Sequence, residues 1–153
     1  MERRKRWDAP HRAETHGGGF AGLPHVVLDS AAYVHLSAME RGVFIEIVRG
    51  FNGFNNGRIG ISFKRLAERL NRKNEACFGP AIAALIEHGL IAIGHEANWS
   101  KNRAREYRLT FVSTTDGNGR PVEASEEYRN WAPGEKRVLR RPKRKRPILL
   151  PHG

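Results

Sequence analysis

The sequence predicts a mainly α-helical domain that closes with a small antiparallel β-hairpin and is flanked by flexible basic arms. Three segments repeat apolar residues at the three- and four-residue spacing of a buried helix face. Two short apolar segments then surround a polar loop, which is the pattern of a hairpin. The 153 residues suffice for one core of ordinary size. The predicted divisions are a basic arm over 1–19, a domain over 20–112 and a C-terminal extension over 113–153.

The first helix is predicted over about residues 38–50. Ser37 and Glu40 precede its apolar face at the spacing of a capping box, in which each side chain accepts a hydrogen bond from the other residue's backbone. The helix ends in the run GFNGFNNG over 50–57, whose Gly and Asn residues tolerate left-handed backbone and therefore form a loop. A very short strand is predicted around Gly60.

Two further helices follow, separated by a polar turn over 71–74. Ser62 is placed to cap the second helix, and the apolar residues up to Leu70 lie on one of its faces. The third helix repeats the pattern and is stopped by Gly89, a residue that readily ends helices.

Pro80 leaves two registers open for the start of the third helix. If the helix starts near Asn74, the proline lies inside it, removes a backbone hydrogen bond and kinks the helix. If Gly79 is the N-cap, the proline is the first helical residue and fits well. The identity of the exposed residues at the helix start depends on this choice.

A hairpin completes the predicted domain. Its strands are expected over 90–93 and 106–112, with a polar loop over about 95–103 between them. The element order is therefore helix, short strand, helix, turn, helix, strand, loop, strand. This is the order of a winged helix-turn-helix domain, in which the hairpin loop is the wing.

Two stretches carry a resemblance to a known family. They are the run SFKRLAERLNRKNEACFGPAIAALIEHGLI over 62–91 and the strand EYRLTF over 106–111. Both resemble bacterial winged-helix DNA-binding domains, and they are most similar to small proteobacterial helix-turn-helix proteins found on plasmids, phages and integrated elements. The resemblance covers about residues 20–112, and it is specific as to fold rather than biological role. It implies double-stranded DNA as the partner.

In such domains the exposed start of the third helix enters the major groove while flanking elements hold phosphates. Arg reads guanine, Asn reads adenine and Glu accepts from cytosine, whereas basic side chains of the wing contact the backbone or the minor groove. The same charges also fit an ordinary solvated surface. The wing tryptophan, Trp99, is expected to pack as a lid on the hairpin, and the alternative is that it rests on a sugar or on a protein surface. The DNA-binding candidates are Lys64, Arg65, Arg72, Lys73, Asn74, Glu75, Lys101, Arg103 and Arg105.

The charge balance points to a polyanionic partner, since 27 Lys and Arg stand against 16 Asp and Glu. The run KRVLRRPKRKR over 136–146 has the composition of a phosphate-binding arm that adds salt-sensitive affinity without sequence choice. Alternatively, this run is a solvated tail or a targeting signal. Before this run, Tyr128 and Trp131 are spaced to dock on the domain or on a partner chain, and the domain is favoured. The tail residues expected to contact phosphates are Arg140, Arg141, Lys143, Arg144, Lys145 and Arg146.

Other function classes receive no support from the sequence. The seven histidines and the single cysteine match no metal motif, and no nucleophile or phosphate-loop motif occurs, so neither an enzyme nor a cofactor is expected. One cysteine favours a reducing cytoplasm, and the charged N-terminus is not a signal peptide. No apolar run approaches the roughly 20 residues that cross a bilayer, so no membrane partner is expected.

The sequence therefore favours a DNA-binding transcriptional regulator in the cytoplasm, associated with the bacterial nucleoid. A replication or transfer factor of a mobile element is a close variant. Two alternatives of other classes are an RNA-binding or ribosome-associated protein, which suits the same basic composition, and a winged helix that docks on another protein. A homodimer is a further expectation, because two-fold symmetric sites are common for such domains.

Overall fold

Helices and small antiparallel sheets alternate along the chain in the computed structural model, which describes residues 17–134. The domain is therefore of the α+β class, and the order predicted from helix to hairpin is present from the third helix onward. The helices are α1 (His25–Leu28), α2 (Ala31–Val34), α3 (Ala38–Arg49), α4 (Phe63–Arg69) and α5 (Phe78–Glu87). The strands are β1 (Ile59–Gly60), β2 (Ile91–His95), β3 (Glu106–Leu109), β4 (Thr114–Thr115) and β5 (Pro121–Val122). Short 3-10 turns cover Glu75–Cys77, Trp99–Lys101 and Glu127–Asn130.

Helix α3 confirms the first predicted helix and its cap. The Ser37 hydroxyl accepts a hydrogen bond from the Glu40 backbone N–H at 3.2 Å, and the Glu40 carboxylate accepts one from the Ser37 N–H at 2.7 Å. Two N–H groups that no intrahelical acceptor could satisfy are thereby paired. The buried face of this helix consists of Val43, Phe44, Ile47 and Val48.

The start of α5 lies between the two registers that Pro80 left open. Asn74 caps the 3-10 turn Glu75–Cys77, which runs directly into α5 at Phe78. Pro80 is consequently the third residue of α5, a position whose backbone N–H has no acceptor within the helix. The proline costs no hydrogen bond there, so no kink is required.

The three-stranded sheet has the order β1-β3-β2, with both pairs antiparallel. Tyr107 on the central strand pairs with Ile59 on one side and with Ile93 on the other. The predicted hairpin is thus confirmed, and β1 adds a third strand to it. The second predicted strand is shorter than expected, since β3 ends at Leu109 rather than at residue 112.

The loop between α3 and β1 is fixed to the sheet by one amide. The Asn56 side-chain oxygen accepts a hydrogen bond from the Leu109 N–H at 2.6 Å, and its nitrogen donates to the carbonyls of Leu109 and Val112 at 3.0 Å. Gly57 in the same loop lies against Gly94, where the register of β2 shifts. The end of the loop, at Asn56 and Gly57, is therefore fixed to the sheet, whereas residues 52–54 are exposed.

The packed fold continues past residue 112, where the sequence placed the end of the domain. The Glu126 N–H donates to the Thr110 carbonyl at 2.8 Å, and Tyr128 is 1% exposed within the core. Trp131 stacks on His88, so this pair of aromatic residues docks on the domain as their spacing predicted. The boundary was predicted too early because these two core residues are isolated within an otherwise polar segment.

Candidate nucleic-acid interface

The first turns of α4 and α5 meet through two aromatic rings. Phe63 and Phe78, the first residues of these helices, pack edge to face with ring centroids 5.9 Å apart. Ser62 caps α4 by accepting a hydrogen bond from the Arg65 N–H at 3.3 Å. Lys64 and Arg65, both exposed, follow Phe63 on the first turn of α4.

The turn that follows α4 also has a defined geometry. Asn71 adopts a left-handed conformation with φ of 50°, and the Arg72 N–H donates to the Ala67 carbonyl at 2.8 Å. This hydrogen bond satisfies one of the free carbonyls at the helix end. It fixes the backbone from which the exposed Arg72 and Lys73 side chains project.

Four predicted cations lie on the first turn of α4 and in the turn that follows this helix, and we name Lys64, Arg65, Arg72 and Lys73 the α4–α5 patch. None of the four forms an ion pair with another residue of the part of the chain described, 17–134. Glu68 and Glu75 lie in the same stretch of sequence, so two acidic residues lie near the four cations of the patch. The unpaired cations remain available to an anionic partner.

Asn74 has a structural task that the sequence did not reveal. Its side-chain oxygen accepts a hydrogen bond from the Ala76 N–H at 2.8 Å and so caps the 3-10 turn. The amide nitrogen of Asn74 donates to no residue between 17 and 134. Glu75, the other predicted base reader, is the exposed first residue of that turn.

Helix α5 itself offers few polar groups for reading bases. Its exposed residues are Gly79, Pro80 and Glu87, and Glu87 is its only charged residue. The opposite face, which includes Phe78 and Leu85, is buried against α3 and the sheet. All hydrogen-bonding candidates predicted for base contact therefore precede α5 rather than lie on it.

A groove between the end of α3, β1 and the start of α4 is lined by three arginines. Arg69 forms a two-point ion pair with Glu46, at 2.9 and 3.1 Å, and this hydrogen bonding raises the pKa of Arg69 above its ordinary value. Arg49 and Arg65 line the same groove without a carboxylate partner among residues 17–134. Sequence reasoning missed Arg49, because its approach to Arg65 depends on tertiary packing and leaves no local signal.

The three predicted cations of the β2–β3 loop differ in their partners. Arg103 pairs with Glu106 at 3.4 Å, and Arg105 pairs with Glu96 at 3.1 Å. The Lys101 ammonium pairs with no carboxylate of the described residues. Two of the three charges are therefore partly neutralised by acids on the same hairpin.

Trp99 does not pack as a lid on the hairpin, and that prediction is wrong. Its side chain is 89% exposed, and Phe54 in the α3–β1 loop is exposed to 97%. The loop turns back at Asn98, whose backbone pairs with that of Arg103, and the exposed indole covers almost none of the hairpin. Local pattern could not show this, because the exposure of a loop side chain depends on how the loop turns relative to the strands.

The tail candidates, Arg140 to Arg146, and residues 1–16 of the predicted basic arm lie outside the described residues. Within 17–134 there are 14 Lys and Arg and 12 Asp and Glu, so most of the excess positive charge belongs to the ends of the sequence.

Residues 17–134 contain no group of three His, Cys, Asp or Glu side chains that could hold a metal ion. Over the same span, every helix is too short or too polar to cross a membrane. Comparison with protein-family models, with curated proteins and with solved structures found no match for this chain.

Proposed function

We propose that the protein is a winged-helix protein that binds double-stranded DNA and acts as a sequence-preferring transcriptional regulator. The observation that supports this most is the α4–α5 patch, whose four exposed cations lack acidic partners among residues 17–134. Other arginines of the described residues, such as Arg69, Arg108 and Arg129, are each paired with a carboxylate, whereas Arg49, Lys101 and Arg120 are not. The patch differs from these three in having four unpaired cations within ten residues of the sequence, and such cations are suited to phosphates, because binding releases the counterions condensed on DNA.

Base contacts in this proposal come from the turn rather than from the length of α5. Arg72 and Lys73 carry donors suited to guanine, and Asn74 keeps its amide nitrogen for a base edge. The small residues Gly79 and Pro80 let the backbone of α5 approach the groove closely. Since few side chains read bases, we expect the preferred site to be defined at a small number of base pairs.

The hairpin loop adds backbone contacts in the same proposal, with Lys101 as its unpaired cation. The basic run over 136–146 supplies further charge without sequence choice. A replication or transfer factor of a mobile element would use the same surface. The genetic position of the selected DNA site would distinguish such a factor from a regulator. The proposed location is the cytoplasm, on the nucleoid.

A protein-docking role is the second candidate, and the bare outer face of α5 favours it. Gly79 and Pro80 form an exposed apolar surface with no basic side chain, which a protein partner accepts more readily than a phosphate backbone does. This alternative predicts that neutralising the α4–α5 patch leaves partner binding unchanged. RNA is less suited to the patch, since the deep, narrow major groove of an A-form helix does not admit side chains on a helix start.

The test is binding of the full chain to pooled random duplex DNA and to structured RNA over a range of salt concentrations, followed by selection and sequencing of the retained DNA. We expect a motif to be enriched, and we expect Arg72→Ala and Lys73→Ala each to reduce the slope of log affinity against log salt by about 1. Arg120→Ala is the matched control, because Arg120 is an exposed cation on the β4–β5 hairpin without an acidic partner among residues 17–134.

Two results would contradict the proposal. The first is an equal loss of slope in the Arg120 variant, which would mean that only net charge matters. The second is tighter binding to RNA than to any duplex, which would assign the protein to the RNA-associated class.

A further inference from the structure

The β2–β3 loop presents a tryptophan to solvent on an ordered turn. Trp99 is 89% exposed, although an indole is among the side chains that gain most from burial. It begins the 3-10 turn Trp99–Lys101 at the tip of the hairpin. Because the indole packs against almost none of the protein, its faces are free to contact a ligand.

Hydrogen bonds fix the backbone on both sides of this ring. The Asn98 side-chain oxygen accepts from the Lys101 N–H at 3.2 Å and from the Ser100 hydroxyl at 2.7 Å. The Asn98 and Arg103 backbones exchange hydrogen bonds at 2.8 and 2.9 Å, and Asn102 closes the turn with a left-handed φ of 49°. The position of Trp99 is therefore set in advance, so little backbone entropy is lost when a ligand meets it.

The surroundings of the indole indicate the kind of ligand. Its neighbours along the loop are Asn98, Ser100, Lys101 and Asn102, all exposed and polar, so the ring is not part of an apolar patch. A protein interface centred on a tryptophan surrounds it with other apolar contacts, and those are absent from this loop. A nucleobase needs only one aromatic face to stack on and a nearby cation for its phosphate, and Lys101 supplies that cation without an acidic partner among residues 17–134.

We propose that Trp99 is a stacking site for an unpaired nucleobase and that Lys101 holds the adjoining phosphate. The site would bind DNA in which a duplex borders a single-stranded flank. A base that is already unpaired is favoured, because inserting the indole between paired bases would first require those bases to unstack. This inference rests on the proposed DNA binding and adds a second kind of contact, separate from the α4–α5 patch.

The test compares the affinity of the full chain for a blunt duplex with its affinity for the same duplex carrying a short single-stranded flank. A 2-aminopurine base at the junction reports stacking by its fluorescence. We expect the wild type to prefer the flanked DNA, and we expect Trp99→Ala to reduce that preference at least fivefold, near the lower end for one base–aromatic stack. Trp99→Phe keeps an aromatic ring and should retain most of the preference and of the fluorescence change.

Phe54→Ala is the matched control, because it removes another fully exposed ring from a different loop. It should behave as the wild type does. An unchanged preference in Trp99→Ala, an equal loss in Phe54→Ala, or no preference in the wild type would overturn the inference. Binding to the blunt duplex, with its dependence on the α4–α5 patch, tests the proposed function separately in the same samples.

Discussion

His88 and Trp131 stack face to face, with ring centroids 4.0 Å apart and 21° between the ring planes. The His88 Nδ1 lies 2.6 Å from the Ala32 carbonyl oxygen, and the ring centroids of His35 and Trp131 are 5.4 Å apart. The segment after the sheet is therefore joined to α2 and to the end of α5. It is part of the fold rather than an appendage.

Replacing Trp131 with alanine should lower the free energy of unfolding by about 2 kcal/mol, because the variant loses both the stacked pair and apolar burial. Urea denaturation followed by circular dichroism measures this directly. Trp99→Ala is the control, since it removes the same side chain from a position that is 89% exposed and should stay within about 0.5 kcal/mol of the wild type. Equal effects in the two variants would show that Trp131 is not packed on the domain.

The elements that could be predicted from the sequence are those defined by local signals. Helix α3 was recognised from its apolar spacing and from the capping box of Ser37 and Glu40, and both involve residues close in the chain. The spacing of Tyr128 and Trp131 predicted docking on the domain but not the full burial of Tyr128, because a single aromatic residue in a polar segment becomes a core residue only through contacts with distant elements. Local pattern therefore predicted the centre of the fold better than its end.

In the candidate site, too, local signals predicted some features, whereas contacts between distant residues decided others. The exposure of Lys64 and Arg65 follows from their positions opposite the apolar face of α4, which sequence spacing reveals. The acidic partners of Arg103 and Arg105 depend on how the two strands of the hairpin align. Register across a loop is set by the bulge and by packing, so sequence spacing alone could not assign those ion pairs.

The contact between Gly94 and Gly57 leads to a second prediction. A Cβ atom added to Gly94 would lie 2.1 Å from the Gly57 carbonyl oxygen, far inside van der Waals contact with backbone. Gly94→Ala must therefore displace the α3–β1 loop or the β2 bulge, and we expect it to lower the free energy of unfolding by about 3 kcal/mol. Thermal or urea unfolding measures the change.

Gly60→Ala is the matched control for this substitution. Gly60 also lies in the three-stranded sheet, but no atom comes within 4 Å of an added Cβ. Its replacement should leave the stability unchanged or raise it slightly, because glycine is unfavourable in a strand. The prediction is wrong if Gly94→Ala unfolds at the same urea concentration as Gly60→Ala.

Glu127 leads to a prediction about pH. Burial raises the pKa of its carboxyl group, but hydrogen bonds from Ser125, Arg108 and its own backbone, together with the charge of Arg108, outweigh that effect and leave the pKa below its ordinary value. The Arg108 guanidinium donates to the Glu127 carboxylate at 2.6 Å and to the Ser125 hydroxyl at 2.6 Å. A carboxyl group with a lowered pKa stabilises the folded state above its unfolded pKa.

This contribution is fully present above about pH 4.5, the ordinary value for the group, and it is lost as the pH falls through the lower pKa of the folded state. Glu127→Gln should therefore reduce the stability at pH 7 and flatten its decline in acid, and urea unfolding at a series of pH values checks both effects. Glu123→Gln is the control, because Glu123 is exposed and has no ion pair among residues 17–134. If the two variants have parallel pH profiles, Glu127 does not contribute in this way.

Substitutions of Asn74 can distinguish its role as the cap of the turn from its proposed role in DNA binding. Asn74→Asp keeps the oxygen that accepts the Ala76 N–H and should leave the free energy of unfolding within about 0.5 kcal/mol of the wild type. The same change removes the amide donor and adds a negative charge beside the α4–α5 patch, so we expect at least tenfold weaker binding to the selected duplex. Asn74→Ala removes the cap as well and should cost about 1 kcal/mol of stability. Full affinity in the folded Asp variant would mean that the turn does not face DNA, and it would favour the docking role for this surface.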